Sequence, residues 1–265
     1  MSRAARRRAR RAAPGALAGA ALALWLAACT TTPTGQDSTV SNDSAANFNL
    51  QLGVTYLQQG NLVVAKDKLE RALKQNPRSP DVHSALGLLY ERLGDRKRAD
   101  SEHRRALSLA PKDPDILNNY AVYLCRNGRP DEGVRRFEQA AANPLYRTPW
   151  AAYTNAGVCL RAARRDQDAE QSFARALQVR PDYAEAVLQM ADLELGTQRA
   201  AQALKRVLDY LATNGATPQL LLLGWRAADA QQERGIALGL AQRLRTEFPD
   251  SPEARQLPAP APSPG

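Results

Sequence analysis

The sequence predicts an all-α protein, in which about six pairs of helices stack into a right-handed superhelix. The first observation is a period of about 34 residues in small side chains, which recurs through most of the chain. The two series of small residues are Gly53, Gly87, Ala121, Gly157 and Ala191, and Ala65, Ala99, Gly133, Ala169 and Ala203. Small residues at such a period are expected where two helix backbones approach closely in every unit of a solenoid.

Two further patterns support stacked helix pairs. A third series keeps the same spacing but is mostly large and apolar, as needed to fill the gaps between units: Leu69, His103, Phe137, Phe173 and Val207. Helix starts are marked at Ser79-Pro80, Asp113-Pro114 and Thr148-Pro149, where a capping side chain precedes a proline. Proline is favoured at the first helical position. The repeat resembles the tetratricopeptide repeat, whose unit is two antiparallel helices.

The chain is expected to begin with a lipoprotein signal peptide, residues 1–28. Six arginines fall within the first eleven residues, and a short apolar run follows at 12–26. A membrane span needs roughly 20 residues, so this run is more typical of a secretory leader. Leu26–Cys29 resembles a bacterial lipobox, which predicts that Cys29 is lipidated. Thr30 after it favours the outer membrane, facing the periplasm. The alternative is an ordinary leader with a chance cysteine.

Loss of this leader would change the charge of the protein. The whole chain has 36 Lys and Arg against 27 Asp and Glu, a net charge of +9. Without the six leader arginines, 30 basic residues face 27 acidic ones, a net charge of +3. Charge therefore gives no reason to expect a nucleic-acid partner.

The mature chain divides into a tether, a repeat domain and a tail. Residues 29–45 are polar and are expected to form a flexible tether, and the Pro-rich residues 257–265 a disordered tail. The repeat domain, 46–256, is predicted to contain a degenerate sixth unit after five clear ones: 46–79, 80–113, 114–147, 150–183, 184–217 and 218–250.

No pattern in the sequence favours catalysis. Neither His83 nor His103 has partners at metal-ligand spacing, and His103 is expected to pack within its repeat. Phosphate-binding loops and nucleophile motifs are not found. We therefore expect no enzymatic activity, cofactor or small-molecule substrate.

Two cysteines lie on the first helices of adjacent units. In an oxidising periplasm, Cys125 and Cys159 are predicted to form a disulfide. The alternative is two buried thiols whose geometry prevents bonding.

The inner face of the superhelix is the expected binding surface. Apolar side chains at inward positions of the first helices predict a groove for an apolar peptide: Leu50, Val54, Leu57, Leu88, Val122 and Val158. Alternatively, the helix phase is one residue off and these side chains pack internally.

Three motifs in the middle of the chain resemble a known family. Asn118–Tyr120 with Cys125, the loop Asn143–Tyr146, and Tyr153–Cys159 are similar to the type IV pilus biogenesis and stability lipoproteins of the PilF/PilW family. The resemblance implies a non-enzymatic outer-membrane lipoprotein that binds the pilus secretin subunit and supports secretin assembly. The alternative is a general envelope scaffold, in outer-membrane protein assembly or a cell-wall enzyme complex.

Overall fold

The computed structural model describes residues 36–258. Within this range the chain forms twelve α-helices, one short 3₁₀ turn at Ala254–Gln256 and no β-strand, so the all-α prediction is confirmed. The helices are α1 (Gln36–Gln58), α2 (Leu62–Gln75), α3 (Pro80–Arg92), α4 (Arg96–Leu109), α5 (Pro114–Arg126), α6 (Pro130–Ala141), α7 (Pro149–Ala162), α8 (Asp166–Val179), α9 (Ala184–Gly196), α10 (Ala200–Thr213), α11 (Pro218–Ala230) and α12 (Arg234–Glu247).

The helices pair in chain order, one pair in each predicted unit. Each first helix packs on the second helix of its own unit, and neighbouring first helices also contact one another, from α1 with α3 to α9 with α11. The sixth unit, degenerate in sequence, still forms the helix pair α11 and α12. The odd-numbered helices therefore form a continuous layer, and this layer carries the candidate binding surface.

The periodic residues lie at the contact between the two helices of a unit. A Cβ atom built on Gly53, Gly87 or Gly157 would lie 2.4–2.7 Å from the side chain of Leu69, His103 or Phe173, respectively. The large residues of the third series, with Phe137 and Val207, are at most 2% exposed. The missing side chain in the first helix thus makes room for a large one in the second, as the period predicts.

The predicted caps are present in part. The Ser79 side chain accepts a hydrogen bond from the backbone N–H of Val82, and Asp113 accepts two from Asp115 and Ile116. Thr148 makes no such bond, so its capping prediction is wrong. The turn before α7 is instead held by its backbone, because the Thr148 carbonyl accepts the N–H of Ala151.

The first helix begins earlier than expected. It starts at Gln36, within residues 29–45 that were predicted to be a flexible tether, and this boundary is corrected. The helix is held by contacts with the end of α2. Asn76 Nδ2 donates to Asp43 Oδ1 at 3.0 Å, and Asn49 Nδ2 donates to Gln75 Oε1 at 2.9 Å. The leader, Cys29 and most of the Pro-rich tail lie outside the described residues.

Candidate functional site

A groove crosses the first three units on the layer of first helices. Its volume is about 680 Å³, and α1, α3 and α5 supply most of its lining. Four of the six residues predicted to form a peptide-binding groove line it together: Leu50, Val54, Leu88 and Val122. All four are partly exposed. The structure therefore joins side chains from three repeats in a single apolar surface.

The other two predicted groove residues lie elsewhere. Leu57 is 2% exposed and belongs to the buried cluster that includes Leu86 and Leu89, so its assignment to the groove is wrong. Its side chain fills the core that α1 shares with α3. Val158, on α7, is 41% exposed but does not line the groove, so the structure does not bring it together with the other residues.

The floor of the groove contains a buried histidine. His103 is 2% exposed, as its expected packing role requires, and its ring lies 5.0 Å from that of Tyr123, centroid to centroid. Its Nε2 atom lies 2.8 Å from Oε1 of Glu91, which lines the groove. This carboxylate was not identified from the sequence, although a histidine at a position otherwise apolar could have suggested a polar partner.

The other histidine also joins the two helices of the second unit. Nδ1 of His83 on α3 lies 2.6 Å from Oε2 of Glu102 on α4, and its Nε2 lies 3.1 Å from the Pro77 carbonyl oxygen. Both ring nitrogens therefore have acceptors from the protein. Neither histidine belongs to a metal site, and no cluster of ligands that could hold a metal ion occurs in the described range.

The two ends of the groove carry opposite charge. Asp81 and Asp115 line it at the N-terminal ends of α3 and α5, and Arg92 and Arg126 line it at the C-terminal ends. The pKa of Asp81 is raised, first by burial and then by repulsion from Asp113 and Asp115. Burial, followed by repulsion from Asp113, also raises the pKa of Asp115. No cation of the described residues forms an ion pair with Asp81 or Asp115 at this acidic end.

Polar side chains link the first helices next to the groove. Asn119 Nδ2 donates to Ser84 Oγ at 3.2 Å, and Asn155 Nδ2 donates to Asn118 Oδ1 at 3.1 Å. These bonds join α3 to α5 and α5 to α7. They fix the spacing of the helices that form the groove.

The predicted cysteine pair lies between the third and fourth units. The sulfur atoms of Cys125 and Cys159 are 2.08 Å apart and their Cα atoms 5.6 Å apart, a separation compatible with a disulfide. Gly133 makes room for this pair, since a Cβ atom there would lie 2.4 Å from Cys125 Sγ. Formation of the bond in the cell stays a prediction.

The predicted lipid anchor lies outside the part that the structure describes. Cys29 precedes Gln36, the first residue of α1, by seven positions. Among the described helices, none is long and apolar enough to cross a membrane.

Comparison with known proteins places these features in a family. Models of the tetratricopeptide repeat match residues 53–94, 82–117, 104–135 and 121–184. The chain is 30% identical over 218 residues to the type IV pilus assembly protein PilF of Pseudomonas aeruginosa, covering 82% of this chain and 86% of that protein.

Solved structures agree with this similarity along nearly the whole domain. A Pseudomonas aeruginosa PilF structure has a TM-score of 0.65 at 29% identity and covers 81% of this chain and 97% of its own. PilW, described as a widely conserved type IV pilus biogenesis factor, has a TM-score of 0.66 at 29% identity. It covers 79% of this chain and 96% of its own.

Proposed function

The chain belongs to the PilF/PilW family of tetratricopeptide-repeat proteins of type IV pilus biogenesis, and from this premise we propose that it is an outer-membrane lipoprotein that binds the pilus secretin subunit. Binding would support the localisation, assembly or stability of the secretin, and hence pilus formation. The observation that carries the proposal is the apolar groove formed by three repeats of a chain related to pilus biogenesis proteins. In this proposal the groove binds a partner protein and catalyses no reaction.

The groove has the features of a protein-binding site. Its apolar lining is drawn from Leu50, Val54, Leu88 and Val122, which remain partly exposed although the core beneath them is closed. An apolar groove of this kind suits an extended or helical segment that buries its own apolar side chains. The hydrogen bond from Asn119 to Ser84 holds two of the groove helices in place, so little ordering is needed on binding.

The proposed lipid at Cys29 would raise the local concentration of this groove at the membrane. Each buried CH₂ contributes roughly 0.8 kcal/mol to membrane binding, and several acyl chains together give a stable anchor. The seven positions between Cys29 and Gln36 span at most about 25 Å. The groove would therefore stay close to the membrane and meet a membrane-associated secretin with an enhanced effective concentration.

Complementation of a deletion strain tests the groove. Leu88→Asp places a carboxylate in the apolar lining, and we expect it to abolish secretin multimers and pili while porin levels remain normal. Val158→Asp is the matched control, because Val158 is an exposed valine at the equivalent position of the fourth unit, outside the groove. Circular dichroism of both purified variants must show an intact fold.

The same strain tests the lipid anchor. Cys29→Ser should leave the protein able to co-purify with the secretin but shift it from the outer-membrane fraction to the soluble periplasm.

Secretin multimers that persist with Leu88→Asp would refute the role of the groove. A broad loss of porins on deletion would instead favour a general scaffold of the envelope.

A further inference from the structure

The apolar groove is continuous with a second, basic cavity at the C-terminal ends of α3 and α5. This cavity has a volume of about 320 Å³ and shares Leu88, Glu91, Arg92 and Arg126 with the groove. Arg96, at the start of α4, belongs to the second cavity alone. Three guanidinium groups from two neighbouring repeats therefore line one end of the binding surface.

These guanidinium groups are largely free to bind a ligand. In the described part of the chain, Arg92 and Arg96 form no ion pair, and Arg126 has only a long contact of 3.6 Å with Glu91 Oε2. The other oxygen of Glu91 lies 2.8 Å from His103 Nε2. Glu91 thus has a hydrogen-bond partner on the core side. By contrast, Arg129 on the same edge is paired with Glu132 at 2.6 Å.

The opposite end of the groove would repel an anion. Asp81 and Arg92 stand at the two ends of α3, about 16 Å apart along the helix axis. Asp115 lies beside Asp81 at the lining, and neither forms an ion pair with a cation of the described residues. Burial, followed by repulsion from Asp113, raises the pKa of both carboxyl groups. The electrostatic potential in the groove therefore changes from negative at the aspartate end to positive at the arginine end.

We infer that the groove takes an apolar segment bearing a carboxylate, which Arg92, Arg96 and Arg126 bind at one end while Asp81 and Asp115 exclude it from the other. The carboxylate is that of an acidic side chain in the bound segment. Guanidinium groups bind carboxylates through strong, directional hydrogen bonds. The inference rests on the proposed function, since it describes the chemistry of the segment that the same groove would bind.

A panel of labelled peptides tests the inference without the secretin. Each peptide is a short alternation of leucine and alanine with an amidated end, and the last residue is Glu, Gln or Lys. A fourth peptide ends in Gln with a free carboxylate. Binding to the purified full chain is measured by fluorescence anisotropy. The Glu peptide should bind ~10-fold tighter than the amidated Gln peptide, and the Lys peptide weakest. Tighter binding of the free-carboxylate peptide alone would overturn the assignment to an acidic side chain.

Charge-reversal variants identify the residues responsible. Arg92→Glu combined with Arg126→Glu should abolish the preference for the carboxylate, while Lys97→Glu should retain it. Lys97 is an exposed cation on the same edge that lines neither cavity. The preference should also decrease with added salt, since exposed charges are screened.

Distinct outcomes overturn the inference and the proposed function. Equal affinity for the Glu, Gln and Lys peptides, no binding of any of them, or an unchanged preference in the double variant overturns the carboxylate inference. Secretin capture that depends on Leu88 would leave the proposed function standing in each of these cases. Conversely, a clear carboxylate preference without any capture of the secretin would refute the function and retain the ligand chemistry.

Discussion

Gly133→Ala is expected to destabilise the protein, although alanine is the residue at the equivalent position of four other units. The substitution, at the fourth residue of α6, should gain at most ~1 kcal/mol of helix propensity. Against this, the new Cβ atom would lie 2.4 Å from Cys125 Sγ and 3.0 Å from the backbone oxygen of Ala121. Overpacking against a backbone atom costs about 1–3 kcal/mol. Because a 2.4 Å approach is closer than real Cβ contacts, the cost lies at the upper end of this range, at about 3 kcal/mol, and we expect a net loss of about 2 kcal/mol.

Thermal unfolding followed by circular dichroism measures this loss. For a domain of this size, 2 kcal/mol corresponds to a decrease in Tm of roughly 4–8 °C. Gly239→Ala is the matched control, because Gly239 lies in the interior of α12 and a Cβ atom there would meet nothing within 4 Å. It should raise Tm by about 2–4 °C.

A double variant separates the two contacts. Cys125→Ala removes the sulfur atom, so adding Gly133→Ala to that background should cost much less than in the wild type. A Tm for Gly133→Ala equal to or above the wild-type value would refute the explanation that the glycine exists to accommodate Cys125.

Three other properties can be checked in the same way. Gln232 has a φ of 60° in the turn where Gly94 has 77°, so Gln232→Gly should stabilise the protein and Gly94→Ala should destabilise it, each by ~1 kcal/mol in urea unfolding. Non-reducing mass spectrometry should show Cys125 and Cys159 bonded, and Cys159→Ser should lower the free energy of unfolding by roughly 3–4 kcal/mol; free thiols at both positions would end this prediction. The pKa of Asp81 is raised in the folded protein, chiefly by burial and then by neighbouring aspartates. The folded protein therefore gains stability relative to the unfolded chain as the pH falls from above this raised pKa to below the ordinary pKa of aspartate. Asp81→Asn should therefore raise Tm at pH 7 and lose this effect in acid, and an equal effect at both pH values would contradict the assignment.

The repeat period predicted the fold because it reflects a physical contact between two helices of one unit. At position 87, for example, only glycine leaves room for the side chain of His103, because a Cβ atom there would lie 2.7 Å from the imidazole ring. The position of a residue within its repeat predicted the residues of the groove less completely. Leu57 holds the same place in its unit as Glu91, yet the leucine turns into the core while the carboxylate lines the groove. The position of a residue within its repeat predicts whether the side chain faces the core or the groove only when the neighbouring residues in space are also known.

The start of α1 and the basic end of the groove depend on contacts between distant parts of the chain. Residues 36–45 are mostly polar, and nothing in their composition indicates the hydrogen bond from Asn76 that holds Asp43. Arg92 and Arg126 are separated by a whole repeat and read as solvated residues in the sequence. They become a site only because α3 and α5 lie side by side.

The C-terminal segment covers part of the inner layer at the sixth unit, which restricts where a partner can bind. In the sixth unit, Gln219 Nε2 donates to Glu253 Oε1 at 2.9 Å and Arg226 donates to Gln256 Oε1 at 2.8 Å. The C-terminal segment thereby occupies the face of α11 that corresponds to the groove face of α3 and α5. An apolar segment consequently finds open surface at the first three units, which are also nearest in sequence to the proposed anchor at Cys29. Recognition and membrane attachment would then act from the same end of the superhelix.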